Sequence, residues 1–173
     1  EGSLGKNIGI KNADPNIKVV MSGLSSINLY YISRMKTWFE SNRKDKKFCA
    51  DVINVHHYCN SKNPYPGPDI NLWEGSGVSP ELDKLEIRLK EFNMFIRQNF
   101  PKTTEIWFSE FGYDTNPPST VLSQYVSPIE NYSSEFLQGQ FLMRTYLISI
   151  SSGMDKIFMF NLILFGPPGS GKG

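Results

Sequence analysis

Cysteine and histidine are scarce, and neither sign of charge dominates. Two cysteines, Cys49 and Cys59, and two histidines are all that 173 residues contain. This excludes a disulfide-rich scaffold and argues against a metal centre built from a His-rich or Cys-rich cluster. The net charge of +1 excludes the basic excess typical of nucleic-acid binding. The dense basic run Arg43 to Lys47 is interrupted by Asp45 and reads as a solvated loop. No apolar run is long enough to span a membrane, and no segment resembles a signal peptide. The chain opens EGSLGKNIGIKN, without an initiator Met, and reads as the interior of a longer protein.

What is present is an ordinary globular composition, with 39% hydrophobic and 20% charged residues, long enough for one domain with its own core. Aromatics reach 13%, a content compatible with a sugar site, where flat ring faces stack on apolar sugar faces. IKVVM (Ile17 to Met21) reads as a buried strand. Ile27, Tyr31, Met35, Trp38 and Phe39 recur at helical spacing. DVINVHH (Asp51 to His57) is a second strand, rich in β-branched residues. Cys49 and Cys59 flank it. About ten residues of strand span about 33 Å, too far for a disulfide, so both are expected as thiols.

A Pro- and Gly-rich stretch, Asn60 to Gly77, has the character of a functional loop. Ser79 and Pro80 suit the N-cap and first position of a helix striped by Leu82, Leu85, Leu89, Phe92 and Ile96. EIWFS (Glu105 to Ser109) is a third strand, running into Glu110-Phe111-Gly112. After a second loop, Asp114 to Asn131, a helix over Ser134 to Ser151 carries Phe136, Gln140, Met143, Leu147 and Ile150, with Gly153 at C′. Asp155 to about Phe165 is the last strand. The β-α-β-α-β-α-β order predicts an α/β fold with a parallel sheet, either half of a (β/α)8 barrel or an open doubly wound sheet. In both, the loops following the strands form the functional end.

Glu110 is the sharpest candidate, a carboxylate at the end of an apolar strand; its bland reading is an exposed strand-end Glu. His56, His57 and Tyr58 end the preceding strand at the same rim. Alternation places His56 and Tyr58 on one face and His57 on the other. Tyr58 can donate a hydrogen bond to a neighbouring carboxylate and favour its charged form. A metal site there needs a third ligand, and the chain has no further His, so no metal is expected.

ADVINVHHYC, EIWFSEFGYDT and GMDKIFMFN resemble strands six, seven and eight of the clan A glycoside hydrolases, retaining (β/α)8 enzymes, and especially family 39-like bacterial proteins. IKVVMSGL then corresponds to strand five. The resemblance covers Gly9 to Asn161 and implies the C-terminal half of a TIM barrel, strands five to eight, over residues 1–161. It also implies Glu110 as catalytic nucleophile, with His56 and Tyr58 binding sugar and orienting it. Many members carry a Trp after strand eight; this chain has Phe158-Met159-Phe160-Asn161, leaving Phe160 as the substitute sugar platform. The implied function is retaining hydrolysis of O-glycosidic bonds in an oligo- or polysaccharide, without a cofactor, in a secreted or periplasmic protein. The family's acid/base Glu follows an Asn after strand four. This chain has no Asn-Glu dipeptide, and Glu74 and Asp114 read as ordinary loop carboxylates. The expected partners are a carbohydrate and a missing N-terminal half of the barrel, or self-association through open sheet edges; neither nucleic acid nor membrane is expected.

Residues 162–173 form a distinct tail. GPPGSGK contains Gly166, Gly169, Gly171 and Lys172 in the G-x-x-x-x-G-K pattern and resembles the phosphate loop of adenylate kinases. No helix, Mg²⁺-binding hydroxyl or downstream Asp follows within the chain. The tail reads as a fusion, a junction or a second domain's beginning. The competing functions are therefore an ATP-binding fragment and a non-catalytic carbohydrate-binding half barrel.

Overall fold

The computed structural model describes residues 9–59, 78–113 and 135–160. Its elements are α1 (Ile10–Ala13), α2 (Leu29–Asn42), β1 (Val52–His56), α3 (Leu85–Asn99), β2 (Glu105–Glu110), α4 (Glu135–Ser151) and β3 (Lys156–Ile157). The three strands form a parallel sheet in the order β1-β2-β3. Helices connect them, as parallel pairing requires.

The expected first strand, Ile17 to Met21, forms only isolated bridges to β1, Val20 to Val52 and Leu24 to Val55. Four residues of the segment run against three of β1, so the ladder cannot stay regular. Hydrogen bonds from Met21 N–H to Val52 O (3.0 Å) and from His56 N–H to Leu24 O (2.7 Å) still hold it parallel to the sheet. The last strand is likewise shorter than expected, Lys156–Ile157, although Phe158 and Phe160 still donate their N–H groups to Phe108 O and Phe111 O. Its expected continuation from residue 161 lies outside the described residues.

One face of the sheet is the core. Ile53, Val55, Ile106 and Phe108 are fully buried beneath Ile32, Leu85, Leu89, Phe92, Ile96 and Phe111. Each such side chain contributes about 1.5–3 kcal/mol on burial. Leu85, Leu89, Phe92 and Ile96 hold the stripe expected of α3, but Leu82 is exposed because the helix begins only at Leu85. Ser79 Oγ accepts from Leu82 N–H (3.3 Å) and so caps a turn, which Lys84 ends in the left-handed region at φ 58°.

Two further helical faces differ from expectation. In α2 the fully buried residue is Ile32, while Tyr31 and Trp38 are exposed. In α4 the expected stripe faces outward: Phe136, Met143, Leu147 and Ile150 are exposed, and Phe141, Thr145 and Ser149 are buried. The helix is apolar on nearly every side, so periodicity alone does not choose its inner face. Polar anchors choose it: Tyr113 Oη and Thr145 Oγ1 share a hydrogen bond at 2.5 Å, and Asn93 Nδ2 donates to Ser152 O (3.0 Å). Gly153 takes φ 83° at the helix end, as its C′ role requires. Cys49 and Cys59 are not disulfide-bonded.

The N-terminal ends of the strands carry one carboxylate each. Asp51 accepts from Val19 N–H (2.8 Å) and pairs with Lys11 (2.7 Å). Glu105 pairs with Lys18 and accepts from the Trp107 indole (2.8 Å). Asp155 accepts from Ile106 N–H (2.7 Å) and pairs with Arg97 (3.1 Å). Asp51 and Asp155 thus each clip a strand to the segment before it. Burial opposes ionisation of Asp51, but Lys11 and the Val19 N–H outweigh it and hold its carboxyl below the ordinary value. Lys18 and then Trp107 do the same for Glu105.

Both carboxyls therefore have folded-state values below their ordinary 3.8 and 4.5. Their stabilisation is complete above those ordinary values and is lost as pH falls through the lowered ones. Urea midpoints should decline as pH drops from about 5 to about 2, modestly, because the pairs are partly exposed. Asp51→Asn should flatten part of that decline. An unchanged acid slope in the variant would remove Asp51 from this role.

Candidate active site at the C-terminal rim

Parallel strands bring all their C-terminal ends to one rim, and the register there is irregular. Val52 to Val55 pair with Glu105 to Phe108 one for one, but His56 pairs with Glu110. Ser109 is the extra residue. In a regular ladder Glu110 would stand level with His57, on the face that carries Ile106 and Phe108 into the apolar core. The one-residue bulge moves it to the face shared by His56 and Tyr58.

The three side chains meet there. Tyr58 Oη donates to Glu110 Oε1 at 2.7 Å, and His56 Nδ1 lies 3.2 Å from Oε2. Both carboxylate oxygens are engaged from one side, while the Glu110 side chain keeps about a quarter of its surface open (26%). Two glycines make room. A Cβ on Gly23 would fall 1.9 Å from His56 Nε2 and 2.6 Å from Cδ2 and Cε1, a direct clash with the ring. A Cβ on Gly112 would meet the Phe160 carbonyl oxygen at 2.4 Å and approach the Tyr58 ring at 3.6 Å. Phe160 is bound to this rim through its N–H to Phe111 O (2.8 Å), with an exposed ring. Glu110, His56, Tyr58 and Phe160 thus share one end of the sheet. Gly23, not singled out in the sequence, belongs with them; its signal is the Ser-Gly step after an apolar run.

The opposite face holds a second cluster. His57 Nε2 and Asp83 Oδ2 are 2.6 Å apart, and the Asp83 side chain is almost wholly buried. Arg88 Nε lies 3.5 Å from the same oxygen. Cys59 Sγ accepts from Tyr113 Oη at 3.4 Å. Burial, then the Asp83 charge, push the Cys59 thiol up to about 12, against the Tyr113 bond. Burial likewise raises the Tyr113 phenol. Asp83 carries no signal in the sequence, because only the fold brings it beneath His57.

Glu74, Asp114 and the tail residues Gly166, Gly169, Gly171 and Lys172 lie outside the described residues. Asp51, Glu105 and Asp155 stand at the far end of the strands. A cavity of about 430 Å³ also opens there, lined by Lys11, Lys18 and Asp51. Its lysines Lys11 and Lys18 are already paired with Asp51 and Glu105.

Among solved structures, the chain is similar to a β-glucuronidase from Ruminococcus gnavus, at 15% identity and a TM-score of 0.41, over 83% of this chain and 25% of that one. The same enzyme in complex with uronic deoxynojirimycin gives 15% identity and a TM-score of 0.41, over 83% and 26%. Its complex with D-glucaro 1,5-lactone gives 15% and 0.40, over 83% and 25%. The chain spans about a quarter of the length of these proteins. No protein-family model matches it, and no curated protein does.

Because Gly23 leaves the space that the His56 ring fills, Gly23→Ala should drive the imidazole off Glu110. A crystal structure of the variant should show the His56–Glu110 separation beyond about 4 Å, past hydrogen-bond reach. An unmoved ring would show that the backbone around residue 23 yields instead.

Proposed function

We propose that this chain is the C-terminal half of a retaining glycoside hydrolase barrel, with Glu110 as the nucleophile. The observation that carries the reading is the carboxylate held by Tyr58 Oη at 2.7 Å and His56 Nδ1 at 3.2 Å at the C-terminal rim of a parallel sheet. This is the end at which α/β folds place their chemistry.

In a retaining reaction a carboxylate oxygen attacks the anomeric carbon while a second carboxyl group, about 5–5.5 Å away, protonates the departing oxygen. The glycosyl ester formed on Glu110 is then hydrolysed by water, activated by that second group. Tyr58 and His56 fix the direction of the attacking carboxylate before substrate arrives. A misplacement of about 1 Å at such a centre costs about a hundredfold in rate. Phe160, exposed at the same rim, offers a flat apolar ring to a sugar face.

The described residues do not supply the acid. Asp83 is bound to His57 on the other face, and Asp51, Glu105 and Asp155 lie at the opposite end of the strands. The acid is therefore proposed to come from the partner half of the barrel.

In the whole protein, Glu110→Gln should remove nearly all glycosidase turnover, because the amide cannot form the ester. Tyr58→Phe should lower kcat by about a hundredfold, since only the orienting hydroxyl is lost. A mechanism-based fluorosugar should label Glu110, read by peptide mass spectrometry. A label on Asp114 or Glu74, or near-normal turnover in Glu110→Gln, would reduce Glu110 to a strand-end carboxylate.

A further inference from the structure

The segment 56–59 uses its two faces differently. His56 and Tyr58 turn to Glu110, while His57 and Cys59 turn to Asp83. A ring nitrogen of His57, the Sγ of Cys59 and a carboxylate oxygen of Asp83 all lie within 4.8 Å of one another. Cys59 and the Asp83 side chain are almost wholly buried, and His57 is mostly so (13% exposed). We propose that His57, Cys59 and Asp83 form a binding site for a divalent transition-metal ion of the zinc class, which locks the loop carrying Tyr58.

The donor set has the right chemistry. An imidazole nitrogen, a thiolate and a carboxylate are the three ligand types that Zn²⁺ takes, at about 2.0–2.3 Å. At tetrahedral angles those lengths place neighbouring donors about 3.3–3.6 Å apart. His57 and Asp83 would part slightly from 2.6 Å, and Cys59 Sγ would close in by side-chain rotation. The protons balance. The His57 Nε2 proton shifts to Nδ1 by tautomerisation, and the Cys59 proton passes to solvent as sulfur bonds the metal. One imidazole, one carboxylate and one thiolate then neutralise the dication. Tyr113 Oη, already donating to Cys59 Sγ at 3.4 Å, supports the thiolate, and water completes the fourth position.

The site also explains a feature that the Glu110 chemistry leaves unused. Asp83 is a buried carboxylate held by His57 at 2.6 Å and paired with Arg88 at 3.5 Å. Burying a carboxylate carries a desolvation cost, and a directly bound cation offsets it. The ligands also staple the two ends of a long connection, since His57 and Cys59 precede residues 60–77 and Asp83 follows them. Val78 N–H donates to Cys59 O (3.1 Å) at the base of that connection. Tyr58 sits between two of the three ligands, so the ion fixes its backbone without touching Glu110. The inference stands on these residues alone and does not depend on the glycosidase reading.

Co²⁺ added to the chelator-treated full chain is the probe. One equivalent should bind, with a thiolate-to-cobalt charge-transfer band that Zn²⁺ abolishes by displacement. Cys49→Ser should keep the band and Cys59→Ser should lose it. Asp83→Asn should weaken binding at least about tenfold. The wild-type band together with its survival in Cys49→Ser supports the site even if Cys59→Ser misfolds. Absence of any band in the wild type, or its loss in Cys49→Ser, would overturn the proposal and leave His57–Asp83 as a plain structural hydrogen bond.

Discussion

The candidate site depends on how two parallel strands keep and then lose step. From Val52 to Val55 the ladder between β1 and β2 is regular, and it sends Ile53, Val55, Ile106 and Phe108 into the core together. One residue later, Ser109 is left over, and Glu110 turns away from that core. A carboxylate turned to that face, among Phe92 and Phe108, would lose its water at a desolvation cost. The slip converts that cost into a usable group at the rim.

The two ends of the sheet have separate tasks. At the N-terminal end, Asp51 and Asp155 accept main-chain N–H groups from the preceding segment and hold the strands in step. At the C-terminal end the ladder slips by one residue, main-chain bonds such as His57 N–H to Glu110 O (3.0 Å) persist, and side chains add contacts of their own. Gly23 and Gly112 matter at this second end because they lie where a methyl group would collide with His56 or with the Phe160 carbonyl. The helices cover the apolar face, with α3 giving four fully buried residues from one stripe.

Much of this is legible in the amino-acid order. β1 and β2 announce themselves through β-branched and aromatic runs, and α3 through Leu85, Leu89, Phe92 and Ile96. Alternation along β1 and the parallel order bring Tyr58 and Glu110 to one rim, but regular stepping would set Glu110 beside His57. The Tyr58–Glu110 pairing is implied only by the resemblance of the two strand ends to the glycoside hydrolase pattern. Other features are silent for physical reasons. α4 is apolar around most of its circumference, so its buried face is decided by hydroxyl and amide partners elsewhere in the chain. Leu82 falls on the α3 stripe but precedes a left-handed Lys84, which no periodicity reveals. Asp83 is an ordinary turn acid until the chain folds it under His57. Ser109 gives no hint that it is the residue without a partner.

The leftover residue in β2 also affects how this strand is compared with others. Side-chain direction in a strand is a count, odd or even, from a chosen starting point. Here the count restarts at Ser109, so the position of Glu110 cannot be inferred by stepping from Ile106. An ungapped superposition of this strand on a regular one would match Glu110 to an inward-pointing apolar residue and overlook the carboxylate. Kinship across this strand is better sought by anchoring on His56 and Tyr58 and allowing one position of slack in the neighbour.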